Sequence, residues 1–203
     1  MAEVTPRRPY RMVKRARAAA NTSDRIVAAA AELFGRLAYD QVTLSAIADG
    51  AGVAIQTVMR RFGSKETLFI EVVEARGRLI RAARDQVQEG DVEGAVGNAV
   101  ESYELWGDVI MHLLEQEPQV AVVRRGAEKG RRYHQAWVRR IFAPLLSSIS
   151  RGERERGLAQ LVVATDLYSW KILRRDIGLD RRTAERCLTQ MVAAILRSAP
   201  RAP

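Results

Sequence analysis

Apolar residues recur at helical spacing along almost the whole chain, and nowhere does a convincing two-residue alternation appear. Glycine, proline and asparagine punctuate that pattern at Asn21, Gly50, Gly52, Gly63, Gly90, Pro118, Gly130, Gly152, Gly178 and Pro200. The spacing predicts a first helix starting at Thr22 or Ser23, either of which can cap it, with Asp24 favouring the positive end of the helix dipole. Ile26, Ala29, Ala30, Leu33, Phe34 and Leu37 form its buried stripe. Thr43 is a second candidate cap, and Leu44, Ile47, Ala48 and Ala51 continue as a short second helix that Gly52 ends. A third runs from about Ala54 to Phe62. Gly63 breaks it, and Ser64 caps a fourth, from Lys65 to about Val87. Longer helices are expected over roughly 92–116, 119–127, 130–148, 155–176 and 181–198. The expected class is all-α.

Residues 44–62 have the spacing of a helix-turn-helix. Ala48 is small enough for a second helix to cross closely. Gly52 suits a left-handed turn, and Val58 with Phe62 points back into a core. Small–glycine–aliphatic spacing alone is weak, because many helix pairs satisfy it. The surrounding residues strengthen it. The segment DRIVAAAAELFGRLAYDQVTLSAIADGAGVAIQTVMRRFGSKETLF, residues 24–69, resembles the N-terminal DNA-binding domain of the TetR family of bacterial transcriptional regulators. The matching positions are Ile26 with Ala29 and Ala30, Leu33-Phe34, Thr43, Ile47-Ala48, Ala51-Gly52-Val53, Thr57, Phe62, and Ser64-Lys65-Glu66 with Leu68-Phe69. WKILRRDIGLD, residues 170–180, is similar to a stretch in the ligand domains of some members. Three positions depart from the family: Ala38 stands where glycine is usual, Ala54 where serine is common, and Met59 where a phosphate-binding tyrosine is usual.

In a helix-turn-helix the third helix is the candidate reader. Gln56 can pair bidentately with adenine, Thr57 can reach a base or phosphate, and Ile55 or Met59 can pack on a thymine methyl. Arg60 or Arg61 can read guanine or hold phosphate. Lys65 opposes the helix dipole in the first turn of the fourth helix, a penalty that a bound phosphate reverses. Thr43 and Ser45 can contact the backbone or a base. The bland alternatives are that Ile55 and Met59 are core, that Thr43 and Ser45 only cap, and that the arginines are solvated.

The resemblance implies that residues 71–203 dimerise and enclose a small-molecule effector. Trp106, Met111, His112, Tyr133, Trp137, Tyr168 and Trp170 are candidates to line that pocket, although aromatics at helical spacing also fill ordinary cores. Leu158, Leu161, Val162 and Thr165 share one face, and Leu188, Met191, Val192 and Ile195 another. These faces are candidates for a dimer seam, with an internal core as the alternative.

Charge adds a partner. The chain has 33 Lys plus Arg against 24 Asp plus Glu, a formal net charge of +9. Residues 1–21 hold Arg7, Arg8, Arg11, Lys14, Arg15 and Arg17 with Glu3 as the only acid, whereas 22–70 is neutral. The expected organisation is a basic, flexible arm over 1–21, a DNA-binding domain over 22–70 and a helical domain over 71–203. The arm suits DNA phosphates or a minor groove, or is simply solvated. The longest apolar run, 26–31, is far short of the ~20 residues that span a bilayer. No secretory signal is evident. Cys187 is the only cysteine, which excludes an internal disulfide and a paired-cysteine zinc site. No metal motif, phosphate loop or nucleophile elbow appears, so neither enzyme activity nor a cofactor is expected.

The expectation is therefore a cytoplasmic, homodimeric, effector-responsive regulator of a palindromic DNA operator, acting as a repressor. The alternatives are a non-specific DNA-compacting protein, a helix-turn-helix that binds protein, and a helical enzyme.

Overall fold

The computed structural model describes residues 8–198, with side chains from residue 20 onward. Among the described residues every regular element is helical. They divide into two compact units, a head that ends at Ala75 and a body that begins at Arg76.

The head contains α1 (Arg8–Phe34), α2 (Leu44–Ala51), α3 (Ile55–Phe62) and the first half of α4 (Lys65–Arg84). The predicted caps form. The Thr43 hydroxyl accepts the Ala46 amide at 3.1 Å, and the Ser64 hydroxyl accepts the Thr67 amide at 3.1 Å. Gly52 ends α2 in the left-handed conformation, φ 63°, where a side chain would be strained. Ile26, Ala30, Phe34, Ile47, Ala48 and Val58 are buried. Phe34, Tyr39 and Phe69 close that core, with ring centroids 5.0 to 5.7 Å apart.

Two expectations change here. α1 begins at Arg8 rather than at Thr22 or Ser23, so helical backbone extends through most of the segment read as an arm. Leu37 is exposed, because α1 stops at Phe34 and Leu37 falls in the turn beyond the buried stripe.

The body contains the rest of α4 with α5 (Val92–Leu114), α6 (Ala121–Phe142), α7 (Arg151–Ala164), α8 (Leu167–Lys171) and α9 (Arg181–Ser198). The helices expected over 119–127 and 130–148 are one continuous α6. A single Gly130 costs about 1 kcal/mol relative to alanine, too little to break a helix whose other face is buried. The single helix expected over 155–176 is instead three pieces. α7 stops at Ala164, the Asp166 carboxylate accepts the Tyr168 amide at 2.9 Å to start α8, and Ile172–Asp176 forms a π turn. The core joins Val100 and Tyr103 of α5, Trp137 and Phe142 of α6, Leu161 of α7, Trp170 of α8 and Leu188 of α9.

The 170–180 stretch ties α8 and the π turn to α5. Arg174 makes two bonds to the Glu104 carboxylate, at 2.5 and 2.9 Å, and Trp170 Nε1 donates to it at 2.8 Å. Arg175 makes two bonds to Asp108, at 2.8 and 2.9 Å. The Arg174 bonds hold the Glu104 carboxyl at a pKa of about 2.

Candidate nucleic-acid interface and body cluster

In the head, α3 presents a narrow exposed stripe. Val58 is fully buried and fixes the rotation of the helix. Gln56, Met59 and Arg60, at positions i, i+3 and i+4, then face solvent, with Met59 52% exposed. Ile55 and Thr57 flank the stripe and are half-buried. Thr43 and Ser45, at the start of α2, are exposed as well. Ala54 supplies no side-chain cap to α3, as its type dictates. α3 carries two arginines and no acid, so this stripe is locally positive within a neutral segment.

Two of the predicted phosphate ligands have other engagements. The Arg61 Nη1 donates to the Ser23 hydroxyl of α1 at 2.7 Å, and its Nε is buried without a partner. The Lys65 ammonium donates to the Tyr39 carbonyl at 2.9 Å and lies 4.4 Å from the centroid of the Tyr39 ring. Those contacts offset the dipole penalty without any phosphate.

Sequence reasoning missed Arg25. Its guanidinium donates to the carbonyls of Ala51 and Gly52, capping the C-terminal end of α2 from α1. Nothing in the sequence marks it, since its acceptors lie 26 and 27 residues away. Arg8, Arg11, Lys14, Arg15 and Arg17 fall on the helical backbone of α1, but their side chains lie outside the described residues, as does Arg7.

In the body, the residues predicted to line a pocket separate. Trp137 and Trp170 are core residues. Tyr168 is exposed, and Trp106, Met111, His112 and Tyr133 are half-buried. The Arg76 guanidinium carbon lies over the Trp106 ring, 3.3 Å from its centroid. The expected dimer faces also divide. Leu158, Leu161, Thr165, Leu188 and Val192 are buried within the body's own core, and a side chain enclosed by its own protomer cannot meet a partner. Val162 and Ile195 are half-buried against that core, and Met191 is exposed.

A buried polar cluster stands out instead. Arg84, at the end of α4, is 4% exposed. Its Nη1 lies 3.2 Å from His134 Nδ1, and its Nη2 donates to the Tyr103 hydroxyl at 3.4 Å. The Tyr103 hydroxyl donates in turn to the Thr165 carbonyl at 3.0 Å. His134 Nε2 lies 3.3 Å from both the Val162 carbonyl and the Thr165 hydroxyl. Arg84 must donate to Nδ1, so the proton of the neutral ring belongs on Nε2.

Burial and the Arg84 charge push the His134 pKa down to about 4, against a weaker opposing pull from Asp166. Above about pH 6.5 the ring is neutral in both folded and unfolded chains. Between there and pH 4 the unfolded chain takes up a proton that the folded chain refuses, so stability falls as pH falls. The expected loss attributable to this ring between pH 7 and pH 5 is about 2 kcal/mol. Urea unfolding of wild type and His134→Gln at both pH values checks this. Equal losses in the two proteins would contradict the assignment.

Among the described residues no group of His, Cys, Asp and Glu could hold a metal ion, and no helix is long and apolar enough to cross a membrane.

Residues 26–72 match the family described as "Bacterial regulatory proteins, tetR family". No curated protein matches the chain. The fold is shared with solved structures of low sequence identity. A transcriptional regulator from Rhodococcus sp. Rha1 aligns with a TM-score of 0.68 at 17% identity, over 89% of this chain and 99% of that one. A transcriptional regulator (TerR/AcrR family) from Aquifex aeolicus VF5 aligns with a TM-score of 0.63 at 18% identity, over 86% and 99%. A TetR-family regulator from Streptomyces coelicolor aligns with a TM-score of 0.51 at 20% identity, over 88% and 96%.

Proposed function

We propose that this chain, whose head belongs to the tetR family and whose fold is that of TetR-type transcriptional regulators, is a cytoplasmic homodimeric repressor. It holds a palindromic operator and leaves it when the body takes up a small-molecule effector. The observation that carries the DNA-binding part is the exposed stripe Gln56–Met59–Arg60 on the second helix of the helix-turn-helix. Val58 anchors that helix from behind, so the stripe can enter a major groove without disturbing the core. Gln56 would read adenine, Met59 would pack on a thymine methyl, and Arg60 would take guanine or phosphate. Thr43 and Ser45 would hold the backbone beside the groove, with Ile55 and Thr57 at its edge. Arg61 and Lys65 reach phosphate only by releasing Ser23 and Tyr39, so we assign them first to shaping the head. The basic residues 7–17 would lie along flanking phosphates.

The test is selection of bound duplexes from a random DNA pool, followed by sequencing. The expected product is an inverted repeat whose half-sites lie about one helical turn, ~34 Å, apart. Gln56→Ala is expected to relax one base pair in each half-site and leave the others, at a cost of about 1–3 kcal/mol per contact. An unchanged preference in Gln56→Ala would mean that α3 is oriented otherwise. Binding without enrichment would favour a DNA-compacting protein, the alternative that the positive charge keeps in view.

A further inference from the structure

Among the described residues of the body, four buried donors have no acceptor: Arg76 Nη1, Arg84 Nε, the Tyr133 hydroxyl and Trp137 Nε1. The last three belong to one cluster. The Arg84 guanidinium carbon lies 4.4 Å from the centroid of the Trp137 ring and 5.6 Å from that of Tyr133, and these two residues are one turn apart on α6. Buried donors ordinarily find partners, and a group of three facing none marks a missing acceptor.

The cluster also has a missing charge. Among the described residues no carboxylate lies within ion-pair distance of Arg84, and its two acceptors are the neutral His134 ring and the Tyr103 hydroxyl. Asp166 acts on His134 and Tyr103 only through space, and its carboxylate is occupied in capping α8. A guanidinium enclosed among neutral groups is costly unless an anion joins it. Water would satisfy donors but not the charge.

We propose that this cluster binds a carboxylate carried on an apolar body, with Arg84 as its anchor. An ionised carboxylate accepts only, through two oxygens, which suits a site built of donors. The apolar body follows from the setting, since Trp137, against which Arg84 lies, is part of the body's buried hydrophobic core. The inference rests on the reading of the body as an effector domain, and it names the class of effector.

Benzoate and octanoate serve as probes, each against its uncharged counterpart, benzyl alcohol and octan-1-ol. Binding is followed by tryptophan fluorescence and by thermal shift, with no DNA present. At least one acid is expected to bind saturably and about tenfold or more tighter than its alcohol, as a bond to a buried charge implies. Arg84→Met is expected to abolish that preference. It is also expected to raise the melting temperature of the empty protein, because an unpaired buried charge is removed. No acid-over-alcohol preference, or a preference that survives in Arg84→Met, overturns the proposal. So does a fall in melting temperature in Arg84→Met, which would make the guanidinium a structural strut. Operator release is measured separately on the selected duplex. An acid that binds through Arg84 but leaves operator affinity unchanged supports this site and counts against effector release.

Discussion

Gly107→Ala is expected to lower the melting temperature of the protein by about 5–10 °C. A Cβ at Gly107 would stand 2.5 and 2.6 Å from two ring carbons of Trp170, and 3.2 Å from a third. Such approaches force something to move, and the ring has nowhere to go. Trp170 is fully buried, its Nε1 is tied to Glu104 at 2.8 Å, and Arg175 lies 4.6 Å from its centroid. α5 could shift instead, but Glu104 and Asp108 on that helix are each held by two arginine bonds. Two effects oppose one another. Alanine gains about 1 kcal/mol of helix propensity over glycine. Overpacking a well-packed core costs about 1–3 kcal/mol, and a rigid ring held on several sides belongs at the upper end or beyond it. The clash wins by about 2–3 kcal/mol, which at about 3 °C per kcal/mol gives the stated range. In a Trp170→Phe background, which lacks the ring carbons that clash, Gly107→Ala is expected to cost much less than in the wild-type protein. A thermal scan that leaves Gly107→Ala unchanged would show that the ring can move.

How far the sequence foretold the molecule depended on the distance between partners. The caps at Thr43 and Ser64 and the left-handed turn at Gly52 were legible, because each is decided within a few residues. The exposed stripe of α3 was legible too, since burial of Val58 fixes the direction of Gln56 and Arg60. Arg25, Arg61 and Lys65 were not, because their acceptors are contributed by other helices. Lys65 opposes the helix dipole, a penalty that the sequence alone leaves a phosphate to offset, and Tyr39 supplies a second partner that only the fold reveals. In the body, periodicity identified which faces of α7 and α9 are apolar. It could not say whose core they fill, and Leu161 and Leu188 fill their own. Gly130 looked like a break and is not one, whereas the true break at Thr165 and Asp166 carries no glycine or proline. The Arg84 cluster was invisible because its parts come from α4, α5, α6 and the residue after α7.

The largest functional effect is expected from Arg60→Glu. Arg60 is exposed on the same face of α3 as Gln56, whereas the neighbouring Arg61 is turned back to Ser23. Reversal removes one attraction and adds one repulsion at each head. In the proposed dimer both heads change together, so a cost of about 1–3 kcal/mol per contact doubles, giving a loss of operator affinity on the order of 10²- to 10⁴-fold. Fluorescence anisotropy on the selected inverted repeat, at several salt concentrations, measures it. The salt series also identifies the contact. If Arg60 neutralises a phosphate, Arg60→Ala reduces the log–log salt slope by about 0.9 per head and weakens all sequences alike. If it reads guanine, the slope changes little and the selected sequence loses its preference at that base pair. Arg61→Ala separates the two arginines. It is expected to lower the stability of the head, by loss of the Ser23 bond, with a smaller effect on DNA affinity. Arg60→Glu binding within threefold of wild type, with the protein folded, would mean that this face of α3 does not meet DNA.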